Sequence, residues 1–92
     1  MKINEIERDE MELAETYKME GHVNKAIAEY EKLAERHPEN VPVKISLANL
    51  YYLMGFISKA AEEYKKILKR KPRYGYALYR LGVMHYRAAD FQ

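Results

Sequence analysis

The side chains able to do chemistry in this 92-residue sequence are three histidines, paired carboxylates, a run of lysines and arginines, and nine tyrosines. His22, His37 and His85 are far apart, and no two lie four residues apart on one helix, as a zinc-binding pair would. Asp9–Glu10 and Glu62–Glu63 are neighbours in sequence, so on a helix they point to different sides and do not converge. No Gly-rich phosphate loop and no nucleophile–histidine–acid pattern appears. There is no cysteine, which removes disulfides and thiolate metal sites. No catalytic residue, metal ligand or cofactor is therefore expected, and the chain does not read as an enzyme.

Lys65, Lys66, Lys69, Arg70, Lys71 and Arg73 form the strongest charged cluster. Clustered cations can neutralise phosphates or meet an acidic partner. Cations also suit the negative end of a helix, and no aromatic residue interleaves with this run. A solvated helix end is the expectation, and nucleic acid is not an expected partner.

The elements that carry these residues follow from apolar spacing. Residues recurring at intervals of three and four, such as Ala26, Ile27, Tyr30, Leu33 and Ala34, predict amphipathic helices. The sequence predicts five, over about 4–19, 24–37, 41–54, 58–71 and 73–89. Asn4 with Glu7 forms a capping box for the first, Asn24 is the expected N-cap of the second and Ser58 that of the fourth. Gly21 and Gly55 suit left-handed C-caps, and Pro38 and Pro72 stand just beyond basic helix ends. Turns this short join antiparallel neighbours.

The pattern repeats. Residues 46–72 moved back by 34 positions place Ala48 on Ala14, Tyr51 on Tyr17, Gly55 on Gly21, Ala60 on Ala26, Tyr64 on Tyr30 and Pro72 on Pro38. A fixed period of helix-turn-helix content is the mark of an α-solenoid. Small residues allow helices to cross closely, and tyrosines fill the wider gaps between layers, so Tyr17, Tyr30, Tyr51 and Tyr64 are expected in the core.

Bulk properties agree. Hydrophobic residues make up 48% and charged residues 33%, a globular balance suited to one domain over residues 1–92. No run of about 18 apolar residues could span a membrane. The opening MKINEIERDE is too polar for a secretory signal, so a cytoplasmic protein is expected. The net charge of +2 hides an asymmetry: residues 7–40 hold 5 Lys/Arg against 10 Asp/Glu, and residues 41–74 hold 8 against 2. Either each hairpin has a solvated face, or the asymmetry serves an interaction.

With Leu13–Ala14–Tyr17 and Leu47–Ala48–Tyr51 followed by Gly, Ala, Tyr and Pro at fixed places, the chain resembles the tetratricopeptide repeat family. The resemblance implies about two and a half repeats, over about 7–40, 41–74 and 75–92. The third copy departs from the pattern, with Leu81–Gly82, then His85 where Tyr is usual and Ala89 where Gly is usual.

The resemblance also implies a protein–protein interaction module whose first helices of each pair line a concave groove for a peptide or partner segment. The groove residues would be Arg8, Met11, Glu15, Lys18, Ile45, Asn49, Tyr52, Tyr76, Tyr79, Val83 and Tyr86, with Arg80 and Asn49 as polar grips. Tyr52 and Tyr86 could instead pack on neighbouring stems. Some family members clamp the terminal carboxylate of large heat-shock chaperones. The corresponding places here are Met11, Glu15, Ser46, Tyr76 and Arg80, of which only Arg80 suits an anion. That role is not expected.

The fifth helix is apolar on nearly every side, and such a helix expects burial. Its Leu78, Leu81, Gly82 and His85 form the face that a following helix would cover. Either the chain is part of a longer array, or self-association through Leu78, Leu81 and His85 makes it an assembly unit.

Overall fold

The computed structural model describes the backbone of residues 5–89 and the side chains of residues 8–86. Five helices follow in order: α1 (Glu5–Met19), α2 (Val23–Arg36), α3 (Val41–Leu53), α4 (Ile57–Arg70) and α5 (Gly75–Ala89). No strand occurs among the described residues. Each helix packs on the next, α1 on α2 through α4 on α5, giving a slab of 44 × 30 × 16 Å. The all-α architecture is the one the periodicity predicts.

The crossing points are small residues. Ala14, Ala26, Ala48 and Ala60 have no exposed surface, and Tyr30, Tyr64, Leu33 and Ile67 fill the space around them. Tyr51 is buried as well, with α2 covering it through a hydrogen bond from its hydroxyl to Glu31 Oε2 at 2.5 Å. Tyr17, the equivalent position on α1, is only half-buried, because no helix precedes α1 among the described residues.

Two turns correct the expected caps. At Gly21 (φ 83°) the His22 N–H bonds Tyr17 O at 2.8 Å and the Gly21 N–H bonds Lys18 O at 3.1 Å, the paired bonds of a Schellman motif. Gly55 (φ 85°) repeats it, with Phe56 to Tyr51 at 2.8 Å and Gly55 to Tyr52 at 3.0 Å. The residue after each glycine closes one helix and opens the next: Ala26 N bonds His22 O, and Ala60 N bonds Phe56 O. His22 and Phe56 are thus the N-caps, and neither makes a side-chain capping bond. Asn24 and Ser58 are the second residues of their helices and do not cap them. The side-chain cap falls instead on Asn40, which accepts from Val43 N at 3.1 Å. Asn4, the expected cap of α1, lies outside the described residues.

Helix α5 starts at Gly75, two residues later than expected. Tyr74 takes the cap position, its carbonyl accepting from Leu78 N at 3.2 Å. Burial does not follow from apolarity here. Ala77 and Met84 are buried, whereas Tyr76, Leu78, Tyr79 and Tyr86 are exposed.

Candidate functional site

The polar centre of the predicted groove forms around a core tyrosine. The Tyr64 hydroxyl of α4 donates to Asn49 Oδ1 of α3 at 2.6 Å, and Asn49 Nδ2 stands 3.5 Å from the Tyr76 hydroxyl of α5. The rings of Tyr64 and Tyr76 meet edge to face with centroids 6.1 Å apart. Arg80, one turn on from Tyr76, lays its guanidinium over the Tyr52 ring at 4.7 Å from the centroid. Such a stack leaves the cation's edge available to an acceptor while the aromatic holds its face. The Nε of Arg80 is buried without a hydrogen-bond partner among the described residues.

Burial pushes the Tyr64 hydroxyl up to about 12, against the opposing pull of Arg80 beside it. The group stays a neutral donor at neutral pH, which fixes the orientation of the Asn49 amide: its oxygen is engaged and its nitrogen faces Tyr76.

The same device stands one repeat earlier. Tyr30 of α2 has Glu15 of α1 and Ser46 of α3 beside its hydroxyl, and burial, with the Glu15 charge adding to it, pushes that group up to about 12. Tyr30, Glu15 and Ser46 are each 34 residues before Tyr64, Asn49 and Arg80. One tyrosine from each second helix therefore reaches between successive first helices and orders their polar residues.

The groove residues named from sequence fall into three groups. Asn49, Tyr52, Tyr76 and Arg80 come together as described. Met11 and Glu15 share a shallow depression with Arg8, Glu12 and Thr16 on α1. Tyr79, Val83 and Tyr86 line an apolar notch of about 410 Å³ with Leu78 and Gly82 on α5. Ile45 belongs to none of these and packs half-buried on the core. Lys18 sits beside Glu15 at 3.9 Å, an exposed pair. Tyr52 is half-buried under Arg80, whereas Tyr86 is exposed.

Two features escaped sequence reading. Tyr64 and Tyr30 were expected only as core, yet the Tyr64 hydroxyl bonds Asn49 of the groove and the Tyr30 hydroxyl lies beside Glu15 and Ser46. Lys44 and Glu63 are charged and buried, at the floor of a cleft of about 470 Å³ between α2 and α4 with Glu31, Tyr51 and Lys66 on its walls. Burial lowers the Lys44 ammonium below its ordinary value. In the basic run, Lys66 pairs with Glu63 at 3.0 Å and Lys65 with Glu62 at 3.9 Å.

A family model described as Tetratricopeptide repeat matches residues 17–81. The chain belongs to the tetratricopeptide repeat family. Comparison with curated proteins gave no match. Tetratricopeptide repeats mediate protein–protein interaction in general and are typically non-enzymatic, so protein partners are the expected ligands of this chain. Among the described residues no helix is long and apolar enough to cross a membrane, and no group of three or more His, Cys, Asp or Glu could hold a metal ion.

Proposed function

We propose that this tetratricopeptide domain, with repeats over about 7–40, 41–74 and 75–92, binds a peptide or partner segment along the face of α1, α3 and α5, in the cytoplasm. The observation that carries the reading is the cluster in which Asn49 accepts from the Tyr64 hydroxyl and stands beside Tyr76, with Arg80 stacked on Tyr52. Beside it, Tyr79 and Val83 offer an apolar seat for an anchoring side chain. Interfaces of this kind rest on a few aromatic and arginine anchors with a polar rim. The Arg80 edge takes a backbone carbonyl or an acidic side chain, and Asn49 orients the segment.

A peptide selected from a displayed random library against the chain tests this. Binding should fall when Tyr79→Ala and Asn49→Ala are combined, with the helical content unchanged. Unaltered affinity would place the peptide elsewhere. The competing reading makes Leu78, Leu81 and His85 a self-association surface, favoured by the exposure of Leu78 and His85 on α5. A stable dimer in light scattering across a concentration series would put that reading ahead.

A further inference from the structure

The 34-residue relation compares burial at identical places in successive copies. Ala14 and Ala48 have no exposed surface, whereas Gly82, the next in the series, is exposed. Tyr51 is 6% exposed and its successor His85 is exposed; Lys44 is 4% exposed and its successor Leu78 is 51%. On α3 these places are covered by α4 and the cleft beside it. Among the described residues, the same side of α5 stands open. Gly82 has nothing within 4 Å of where a Cβ would lie, so the backbone itself is accessible there. Small residues are what let a second helix approach this closely.

Charge says what kind of helix fits. In the cleft above α3, Glu31 and Glu35 of α2 form an acidic wall, and Lys44 and the Lys66–Glu63 pair stand opposite it. The residues that follow Glu31 and Glu35 by 34 are Lys65 and Lys69, both on α4 and both exposed. Because α4 packs on α5 as α2 packs on α3, Lys65 and Lys69 flank the open side of α5. Lys65 has only a long, exposed pair with Glu62, and among the described residues no ion pair engages Lys69. The sign of the wall is thus reversed relative to the preceding cleft.

We propose that the open side of α5 docks an amphipathic helix of a partner protein, with small residues seated on Gly82, apolar residues on Leu78 and Leu81, and carboxylates facing Lys65 and Lys69. Desolvation of Leu78 and Leu81 supplies affinity, and the lysines select the acidic helix. A second copy fits less well. An antiparallel two-fold pairing of the same faces would set Lys65 and Lys69 of both copies on one side, like charge against like.

A fluorescent peptide of residues 22–38 makes the probe, because this segment already packs on a first helix through Ala26 and Tyr30. Its positions 29 and 32 precede Glu63 and Lys66 by 34 and so face across the cleft. A Lys32→Glu peptide should bind the whole chain about tenfold more tightly than a Glu29→Lys peptide, and the difference should shrink at high salt. Lys65→Glu with Lys69→Glu on the chain should invert the preference. Gly82→Leu, which places a larger side chain into open space on a helix, should abolish docking of either peptide while the helicity of the chain stays unchanged. Equal binding of the two peptides, binding that survives Gly82→Leu, or a stable dimer of the chain that excludes the peptide would each overturn the proposal.

Discussion

Tyr64 and Asn49 are joined by a 2.6 Å hydrogen bond from a fully buried phenol on α4 to a half-buried amide on α3. Their counterparts one repeat earlier, Tyr30 and Glu15, also stand beside each other. Core packing and the ordering of the groove are therefore the work of the same residue.

Removing only the hydroxyl should expose that dual role. Tyr64→Phe keeps the ring and leaves the Asn49 carbonyl without its donor, which costs about 1 kcal/mol by analogy with other buried hydrogen bonds. Urea unfolding of Tyr64→Phe, Asn49→Ala and the double variant should show a coupling of about 0.5 kcal/mol or more. Strict additivity would mean that the bond contributes nothing.

The caps make a contrast that sequence inspection would invert. Asn40 accepts from Val43 N, so Asn40→Ala should destabilise by about 1 kcal/mol. Ser58 lies inside α4 and is exposed, so Ser58→Ala should be nearly neutral or slightly stabilising, since alanine is the better helix former. Thermal unfolding of the two variants separates the cases. A larger loss for Ser58→Ala would contradict the turn geometry.

The tyrosines predict where alkali acts. Tyr30 and Tyr64 are raised to about 12 in the folded chain, above the ordinary value of 10.0, chiefly by burial. A raised phenol stabilises the fold in its neutral form. That contribution is whole below about pH 10 and is lost as pH rises through 12. Stability followed by circular dichroism should be level toward pH 10 and fall beyond it, with phenolate absorbance of these two groups appearing only as the helices melt. Their ionisation near pH 10 in an intact fold would contradict the burial.

Lys44 should be dispensable for stability. Its ammonium is depressed by burial, aided by the Lys66 and Arg70 charges and opposed by Glu63 and Glu39. A depressed amine penalises the charged form, so at neutral pH the folded chain carries a cost that disappears above the ordinary value of 10.5. Lys44→Met keeps the stem and removes the charge, and should leave stability unchanged or raise it by about 1 kcal/mol at pH 7. Glu63 retains Lys66 as its partner. A loss of more than about 1 kcal/mol would show that the Glu63 attraction outweighs desolvation.

Architecture was readable in the sequence because it rests on repeated local signals: alanines at 14, 26, 48 and 60, glycines at 21 and 55, and tyrosines between them all carry their structural meaning in their spacing. The helix starts were misread for a local reason as well. Asn24 and Ser58 look like caps in isolation, but the Schellman bonds at Gly21 and Gly55 commit the very next residue to open the helix. The exposure of α5 was hidden because composition reports how apolar a helix is and not which neighbour covers it. The groove was legible as a set of positions, while its ordering was not. Nothing in Tyr64 itself distinguishes a core ring from one whose hydroxyl crosses to Asn49; that depends on the offset between facing helices.

The most direct test of the binding face is the affinity of a library-selected peptide for the chain and for the Asn49→Ala, Tyr79→Ala double variant, measured by isothermal titration. A loss of about tenfold or more, equivalent to roughly 1.4 kcal/mol, is predicted while circular dichroism shows the double variant still folded at the temperature of the titration. An unchanged dissociation constant in a folded double variant would contradict the assignment of partner binding to this face.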